Sequence, residues 1–231
     1  MVYTERYIRI IVMAISYNSS IVTTNLIACF DPGNPRTYPG SGTAIRDASG
    51  NGYTGTLVNG PTYSSANGGV FVLDGVNDYI DIPGPNMAST NYTIIGAAKY
   101  VVASGRTFSG RNNNWLMGQW SNSTENYYAE GWVAGAGTGG PTPSDTNWRI
   151  YAATGNIAGD NYALYVNGAL VSTQSATGGS QGPNGLGIGC YFPGVSEFSN
   201  SQIGIFLVYN AVLTEAQIIQ NFNAYRGRYG L

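Results

Sequence analysis

The feature that most constrains this chain is a series of turn-forming dipeptides, separated by short runs of β-branched and aromatic residues. A type I′ hairpin turn needs positive φ at both central residues, and Asn, Asp and Gly tolerate that conformation. The dipeptides are Asn51-Gly52, Asn59-Gly60, Asn67-Gly68, Asp74-Gly75, Asn167-Gly168 and Asn184-Gly185. Together with the runs between them, they predict about a dozen short strands in an all-β antiparallel sandwich, rather than an α/β fold.

The clearest predicted hairpin is the one closed by Asn167-Gly168. Bulky residues occupy both faces of the run before it, since Leu164 and Tyr165 point in opposite directions. This run is therefore predicted to lie inside a sheet. The predicted strands are Thr54–Val58, Val70–Leu73, Tyr92–Ile95, Ala98–Val102, Trp148–Ala152, Tyr162–Val166 and Ile203–Tyr209.

One short helix is predicted near the C-terminal end. Thr214 and Gln217 have the spacing of a capping box, in which the two residues satisfy each other's backbone N–H groups. Gly227 is expected to end the helix. The apolar stripe that would pack on the sandwich is Ile218, Phe222 and Tyr225.

Composition excludes several classes of function. The charged residues are 10% of the chain, the net charge is −2, and Lys99 is the only lysine. Without a basic stripe to neutralise phosphates, nucleic-acid binding is not expected. No run approaches the roughly 18 consecutive apolar residues of a membrane span. A length of 231 residues suits one sandwich domain.

The chain is divided into an N-terminal arm or extra strand at residues 1–24 and one domain at residues 25–231. The arm is expected to add a strand to a neighbouring protein. Two alternatives stay open: a short signal peptide, and a natural start at Met13. The predicted docking residues of the arm are Tyr3, Tyr7, Ile8, Ile10 and Val12.

Both cysteines lie in apolar, strand-like runs. Cys29 and Cys190 are therefore predicted to be small buried thiols. A disulfide between them would need Cα atoms within about 7 Å, which sequence spacing does not determine. The redox compartment stays open.

Three groups of motifs follow one another in order: Asp47–Leu57, Asp74–Ile80, and the Asn167-Gly168 hairpin with Val208–Glu215. This order resembles the concanavalin A-like lectin/glucanase superfamily in its laminin G-like branch. The resemblance covers nearly the whole chain and implies a jelly-roll of two curved antiparallel sheets. Two further segments resemble modules in structural proteins of tailed bacteriophages: an opening one, Phe30–Pro35 with Tyr38–Thr43, and an ending one, Tyr225–Gly230.

Catalysis is not expected. The chain has no histidine, which removes His-based triads and the usual general base near neutral pH. Glycosidases need two carboxylates flanking the scissile bond. The five glutamates form no closely spaced acidic set of the kind that the superfamily's glucanases have; they are Glu5, Glu125, Glu130, Glu197 and Glu215.

An acidic segment is a candidate calcium site. Asp74, Asn77, Asp78 and Asp81 supply hard oxygen ligands within eight residues, which suits Ca²⁺. The competing interpretation is that these side chains form turns by accepting hydrogen bonds from their own backbone.

An aromatic cluster is a candidate glycan site, because aromatic faces stack on sugar rings and amides bond their hydroxyls. The cluster contains Trp115, Trp120, Tyr127, Tyr128 and Trp132. In the alternative interpretation, Trp115 and Trp132 are core residues of successive strands. The predicted glycan-binding residues are Arg111, Asn113, Trp120, Tyr127 and Tyr128.

Two functions are consistent with these observations. The first is a non-enzymatic structural protein on a virion surface, decorating or cementing a phage capsid or tail. Its partners would be capsid or tail proteins, or further copies of the chain. The second is a carbohydrate-binding adhesin module on a secreted or cell-surface protein.

Overall fold

The computed structural model describes residues 20–129, 131–135, 143–175 and 181–231. Within them, two antiparallel sheets of eight strands each pack face to face, and one helix follows the last strand. The predicted β-sandwich with a C-terminal helix is confirmed. Sequence runs that are apolar on one or both faces form the strands, and most of the turn dipeptides fall between them.

The strands of sheet A are β1 (Leu26–Phe30), β4 (Thr62–Ser64), β5 (Val70–Asp74), β7 (Tyr92–Val102), β12 (Arg149–Asn156), β13 (Asn161–Val166), β14 (Ala169–Ser175) and β16 (Asn200–Tyr209). Their order in the sheet is β14-β13-β12-β7-β16-β5-β4, with β1 also paired to β16. The predicted strands Tyr92–Ile95 and Ala98–Val102 are one continuous strand, because Gly96 between them pairs with Tyr151 on one side and, next to a register shift, with Phe206 on the other.

The strands of sheet B are β2 (Ala44–Arg46), β3 (Thr54–Val58), β6 (Tyr79–Asn86), β8 (Arg106–Gly110), β9 (Trp115–Trp120), β10 (Ser123–Ala129), β11 (Trp132–Ala134) and β15 (Asn184–Ile188). Their order in the sheet is β11-β10-β9-β8-β15-β6-β3-β2. The edges of the two sheets meet where the Ser172 hydroxyl of β14 donates to the carbonyl of Val133 in β11, at 2.6 Å.

The main core lies between the sheets and is rich in aromatic residues. Phe30 and Phe206 stack with ring centroids 4.8 Å apart. Leu164 is fully buried in this core, while Tyr165 on the opposite face is half-buried against a second apolar cluster. The strand carrying them lies between β12 and β14, as predicted for a run with bulk on both faces. Each fully buried large side chain contributes about 1.5–3 kcal/mol of hydrophobic stabilisation.

Helix α1 (Glu215–Tyr229) covers the outer face of sheet A and completes the second cluster. The capping box is confirmed: the Gln217 backbone N–H donates to Thr214 Oγ1, and the Thr214 N–H donates to Gln217 Oε1 at 2.9 Å. The helix does not end at Gly227. It continues to Tyr229 and ends at Gly230, which has a φ of 72°.

Burial of Tyr229 explains the longer helix. Its ring packs on Trp148 with centroids 4.6 Å apart, and its hydroxyl accepts the Ile205 N–H at 3.0 Å. Gly204 permits this approach, because a Cβ there would lie 2.2 Å from the hydroxyl oxygen. The tertiary contact therefore outweighs the helix-ending tendency of Gly227.

The turn dipeptides behave differently from one another. Asn167 and Gly168 have φ of 52° and 79° and close the β13–β14 hairpin, as predicted. Asn59 and Gly60 also have positive φ but connect strands of different sheets. Asn184 begins a strand instead of a turn, because it pairs with Asn86.

Both cysteines of the chain fall within the described ranges, and both are buried and unpaired, as predicted. Burial raises the pKa of the Cys29 thiol to about 12 and that of Cys190 to about 11. Neither thiol is activated as a nucleophile, because both pKa values stand above the ordinary range.

The predicted docking residues Tyr3, Tyr7, Ile8, Ile10 and Val12 lie outside the described residues. The described end of the predicted arm contacts the domain: the Val22 N–H donates to Asn221 Oδ1, and its carbonyl accepts from the Tyr209 hydroxyl, both at 2.9 Å. In the described part of the chain, no helix has the length and apolarity needed to cross a membrane.

Candidate functional site

The aromatic cluster predicted from the sequence is divided between two faces of sheet B. Trp115 and Tyr127 point into the core and are fully buried. Trp120, Tyr128 and Trp132 lie on the outer face and are partly exposed. We call these three residues the aromatic platform.

The prediction that Tyr127 binds a glycan is therefore wrong, because its ring is fully buried in the core. Its hydroxyl lies 2.5 Å from that of Tyr92 and 3.0 Å from the Thr154 carbonyl oxygen. The Trp115 indole N–H donates to the Tyr92 hydroxyl at 3.0 Å. Burial raises the pKa of Tyr92 and of Tyr127 well above the ordinary value, because the phenolate forms cannot be solvated there.

The platform is a contiguous aromatic surface at the end of sheet B that lies beside β14. The rings of Trp120 and Trp132 are 5.4 Å apart between centroids, tilted by 34°. Tyr128 meets Trp132 edge-on at 5.2 Å. Leu116 lies beneath them and is 1% exposed. The rings are thus supported from below and open to solvent above.

A buried arginine fixes the platform from one side. The Arg106 side chain is 8% exposed, forms an ion pair with Glu197, and donates to Asn114 Oδ1 at 2.9 Å. Its guanidinium lies 4.2 Å from the ring centroid of Tyr191 and 5.8 Å from that of Trp120. Glu197 Oε2 also accepts the Trp120 indole N–H at 2.9 Å. These contacts hold the Trp120 ring in one orientation.

Two cavities flank Trp120. One, of about 270 Å³, is lined by Arg106, Asn114, Leu116, Trp120, Tyr128 and Trp132. The other, of about 260 Å³, is lined by Ala103, Ser104, Gly105, Trp120, Ser121, Asn122 and Glu197. The site therefore combines aromatic faces with amide, hydroxyl and carboxylate groups, which is the chemistry of a small polar ligand site.

The remaining predicted glycan residues have structural roles. Arg111 Nε donates to Asp81 Oδ1 at 2.5 Å, and this hydrogen bond raises the pKa of the guanidinium. Asn113 holds the neighbouring loop by donating to Gln181 Oε1 and to the Gly182 carbonyl. Neither residue lines the two cavities beside the platform.

Sequence reasoning did not identify Arg106, Tyr191 and Glu197. Arg106 lies on β8, and Tyr191 and Glu197 lie in the loop at residues 190–199 before β16. The ion pair joins positions 91 residues apart. No local pattern signals such a pair, although the packed rings of Trp120 and Trp132 lie beside it.

The acidic segment has the geometry of a turn. Asp74 Oδ1 accepts the backbone N–H groups of Val76, Asn77 and Asp78, and Asp78 Oδ2 accepts that of Asp74. These bonds lower the pKa of Asp74, whereas burial raises that of Asp78. Asp81 is paired with Arg111 instead. Among the described residues, no group of three or more His, Cys, Asp or Glu side chains is placed to hold a metal ion.

The fold and a match to a family model together show which class of protein this is. The fold is that of concanavalin A-like sandwiches, and the Laminin_G_3 family of the concanavalin A-like lectin/glucanases superfamily matches residues 74–219. The chain belongs to this family. A comparison with curated protein sequences finds no match.

Solved structures with the same fold include both binding domains and enzymes. Domain 4 of AbnA, a GH43 extracellular arabinanase from Geobacillus stearothermophilus in complex with arabinotriose, is 17% identical with a TM-score of 0.61, covering 85% of this chain and 98% of that domain. The binding domain of botulinum neurotoxin DC in complex with SialylT is 13% identical with a TM-score of 0.62, covering 88% and 52%. Trypanosoma rangeli sialidase in complex with sialic acid is 14% identical with a TM-score of 0.63, covering 89% and 34%. The chain thus spans about half of the toxin domain and a third of the sialidase.

Proposed function

We propose that this protein is a non-catalytic carbohydrate-binding module and that the aromatic platform is its binding surface. The observation that carries the proposal is the pair of partly exposed tryptophans, Trp120 and Trp132, held beside two polar cavities on the outer face of sheet B. Stacking on an aromatic face suits the apolar face of a sugar ring, and fixed polar groups then orient its hydroxyls.

Rigidity of the platform favours binding. Trp120 is held by Glu197, and Leu116 packs beneath the rings, so little side-chain entropy is lost when a ligand stacks. The structures with the same fold that contain arabinotriose or sialic acid support a saccharide as the ligand class. Their low sequence identity carries no residue role to this chain.

The module is proposed to be non-catalytic because the site has too few carboxyl groups for glycoside hydrolysis. Hydrolysis of a glycosidic bond requires two carboxyl groups, about 5–9.5 Å apart. Among the described residues that line the two cavities, Glu197 is the one carboxylate, and it is paired with Arg106. A reducing-sugar assay on any bound polysaccharide is therefore expected to show no product.

The test is the loss of binding in Trp132→Ala. On a glycan array, and by calorimetry on the saccharides that bind, this variant is expected to weaken binding at least tenfold, or about 1.4 kcal/mol. Tyr63→Ala is the matched control, because Tyr63 is 36% exposed on β4, at the far end of sheet A. Equal binding by the wild type and Trp132→Ala would contradict the proposal, as would no binding to any saccharide.

A location on a virion surface is a second proposal. It is supported by the resemblance of two segments to phage modules, and these segments form one corner of the domain. Arg228 Nη1 donates to Asp31 Oδ1 at 2.6 Å, and the same guanidinium donates to the carbonyls of Asn67 and Gly69. The corner is a single packed unit rather than two unrelated loops.

The virion proposal predicts that the chain is detected in purified particles by mass spectrometry. Deletion of residues 1–19 is expected to abolish attachment and leave the domain folded. The deletion stops before Val22, because Val22 packs in the domain. Attachment that survives this deletion would contradict a docking role for the arm.

A further inference from the structure

We infer that the platform selects neutral saccharides of at least two sugar units and discriminates against acidic ones. This inference rests on the proposed carbohydrate-binding function and adds the length and charge of the ligand. It is carried by the position of Trp120 between two cavities and by the pairing of the charges that line them.

The length follows from the two cavities. Trp120 lines both, so the two spaces adjoin across its ring. At about 270 and 260 Å³, each is below the roughly 300–1,000 Å³ of pockets for drug-sized ligands. Each cavity suits one sugar ring, and a ligand that fills both must cross Trp120. A single sugar uses only half of the surface.

The charge preference follows from Arg106. Arg106 is a poor partner for an anionic ligand, because its side chain is 8% exposed and its charge is balanced by the ion pair with Glu197. Among the described residues that line the two cavities, it is the only basic one. An acidic sugar would therefore find no cation there that is not already paired with a carboxylate.

Glu197 strengthens this preference. Its Oε2 accepts from both Arg106 and Trp120, whereas Oε1 has no hydrogen-bond partner among the described residues. The side chain is 35% exposed and lines the smaller cavity. The oxygen is placed to accept a sugar hydroxyl, but it repels a carboxylate or sulfate that enters the same space. Neutral hydroxyl groups are thus favoured over anionic ones.

The experiment compares matched saccharides on the wild-type protein. A glycan array of neutral and acidic oligosaccharides is followed by calorimetry on pairs of the same linkage in which a carboxylate replaces the C6 hydroxymethyl group, such as galactotriose with trigalacturonate and mannotriose with trimannuronate. Each neutral ligand is expected to bind at least tenfold more tightly than its acidic counterpart at low salt. The difference should narrow at high salt, since screening weakens the repulsion. A disaccharide is expected to bind at least tenfold more tightly than its monosaccharide.

Glu197→Gln tests the cause of the preference. The amide keeps an acceptor for the Trp120 indole but removes the repelling charge and releases the charge of Arg106. The ratio of neutral to acidic affinity is expected to fall at least tenfold. Asp81→Asn is the matched control, because Asp81 is also a half-buried carboxylate paired with an arginine on sheet B but lines neither cavity. In Asp81→Asn, the ratio of neutral to acidic affinity should stay at the wild-type value.

The outcomes separate the two proposals. Binding of acidic saccharides as tightly as neutral ones, or of monosaccharides as tightly as disaccharides, overturns this inference and leaves the carbohydrate-binding function standing. No binding of any saccharide overturns both. If Glu197→Gln fails to fold, the wild-type pairs still decide the preference.

Discussion

The two outer faces of the sandwich differ in what covers them. Sheet A is covered by helix α1, whose Ile218 and Tyr229 join a buried cluster with Leu207. Part of the outer face of sheet B is covered by the 190–199 loop, where Pro193 packs over Gly187. Another part of the same face carries the partly exposed platform. The outer face of sheet A is therefore buried under the helix and stabilises the fold, whereas the outer face of sheet B leaves aromatic rings accessible to a ligand.

The same difference separates two neighbouring tyrosines. Tyr127 and Tyr128 are adjacent on β10, yet one belongs to the core and the other to the platform. Successive side chains of a strand point to opposite faces, so aromatic residues can serve packing and binding from one segment. The effects of substitutions at these two positions should therefore differ in kind.

The largest expected effect is the loss of stability in Tyr127→Ala. Removing this ring opens a cavity beside Trp115 and removes one hydrogen-bond partner each from the Tyr92 hydroxyl and the Thr154 carbonyl, which should lower the free energy of unfolding by about 3–5 kcal/mol. Tyr128→Ala, the matched variant, should cost less than about 1.5 kcal/mol. Denaturant unfolding of both variants measures the difference. Equal losses would show that the division between core and platform is wrong.

The next effect is the fall of stability at alkaline pH. The pKa of Tyr127 is raised by burial in the folded state, so this group stabilises the protein fully below the unfolded pKa of about 10. That stability is lost as pH rises from there toward the folded pKa, at about 1.4 kcal/mol per pH unit. Between pH 10 and 11, the free energy of unfolding should therefore fall less steeply with pH in Tyr127→Phe than in the wild type. The difference in slope should correspond to about one proton released on unfolding, and denaturant unfolding at several pH values measures it. An unchanged slope would contradict the burial of this hydroxyl.

A smaller effect is expected at the edge of the platform. Trp120→Phe keeps an aromatic face but loses the hydrogen bond from the indole to Glu197, at a cost of about 0.5–1.5 kcal/mol in unfolding free energy. Trp132→Phe is the matched variant, because the Trp132 indole makes no hydrogen bond with the described residues, and its cost should be smaller. Thermal unfolding of both proteins checks the order. A larger loss of stability in Trp132→Phe would show that the hydrogen bond between Trp120 and Glu197 is not what supports the platform.

Sequence patterns predict the fold of this chain better than its site. Capping chemistry located the start of the helix at Thr214, and turn chemistry located the Asn167-Gly168 hairpin. These features are determined by residues close together in sequence. The end of the helix was misplaced because contacts of Tyr229 with Trp148 and the Ile205 backbone decide it.

The candidate site could be predicted only in part. Trp120 and Tyr128 were identified from the density of aromatic residues, and the two-residue period separates Tyr128 from Tyr127 without saying which of them faces the core. The pairing of Arg106 with Glu197 depends on how β8 meets the 190–199 loop, which is a property of the tertiary fold. The segment at Asp74 was ambiguous because the same oxygens suit a turn and a cation.

The most direct test of a binding role for the platform uses the indole N–H signals of the four tryptophans in a ¹H–¹⁵N NMR titration. With a neutral oligosaccharide that binds on the array, the signals of Trp120 and Trp132 should shift and saturate, while those of the buried Trp115 and Trp148 stay in place. A saturating titration that moves Trp148 and leaves Trp120 and Trp132 unchanged would contradict the account.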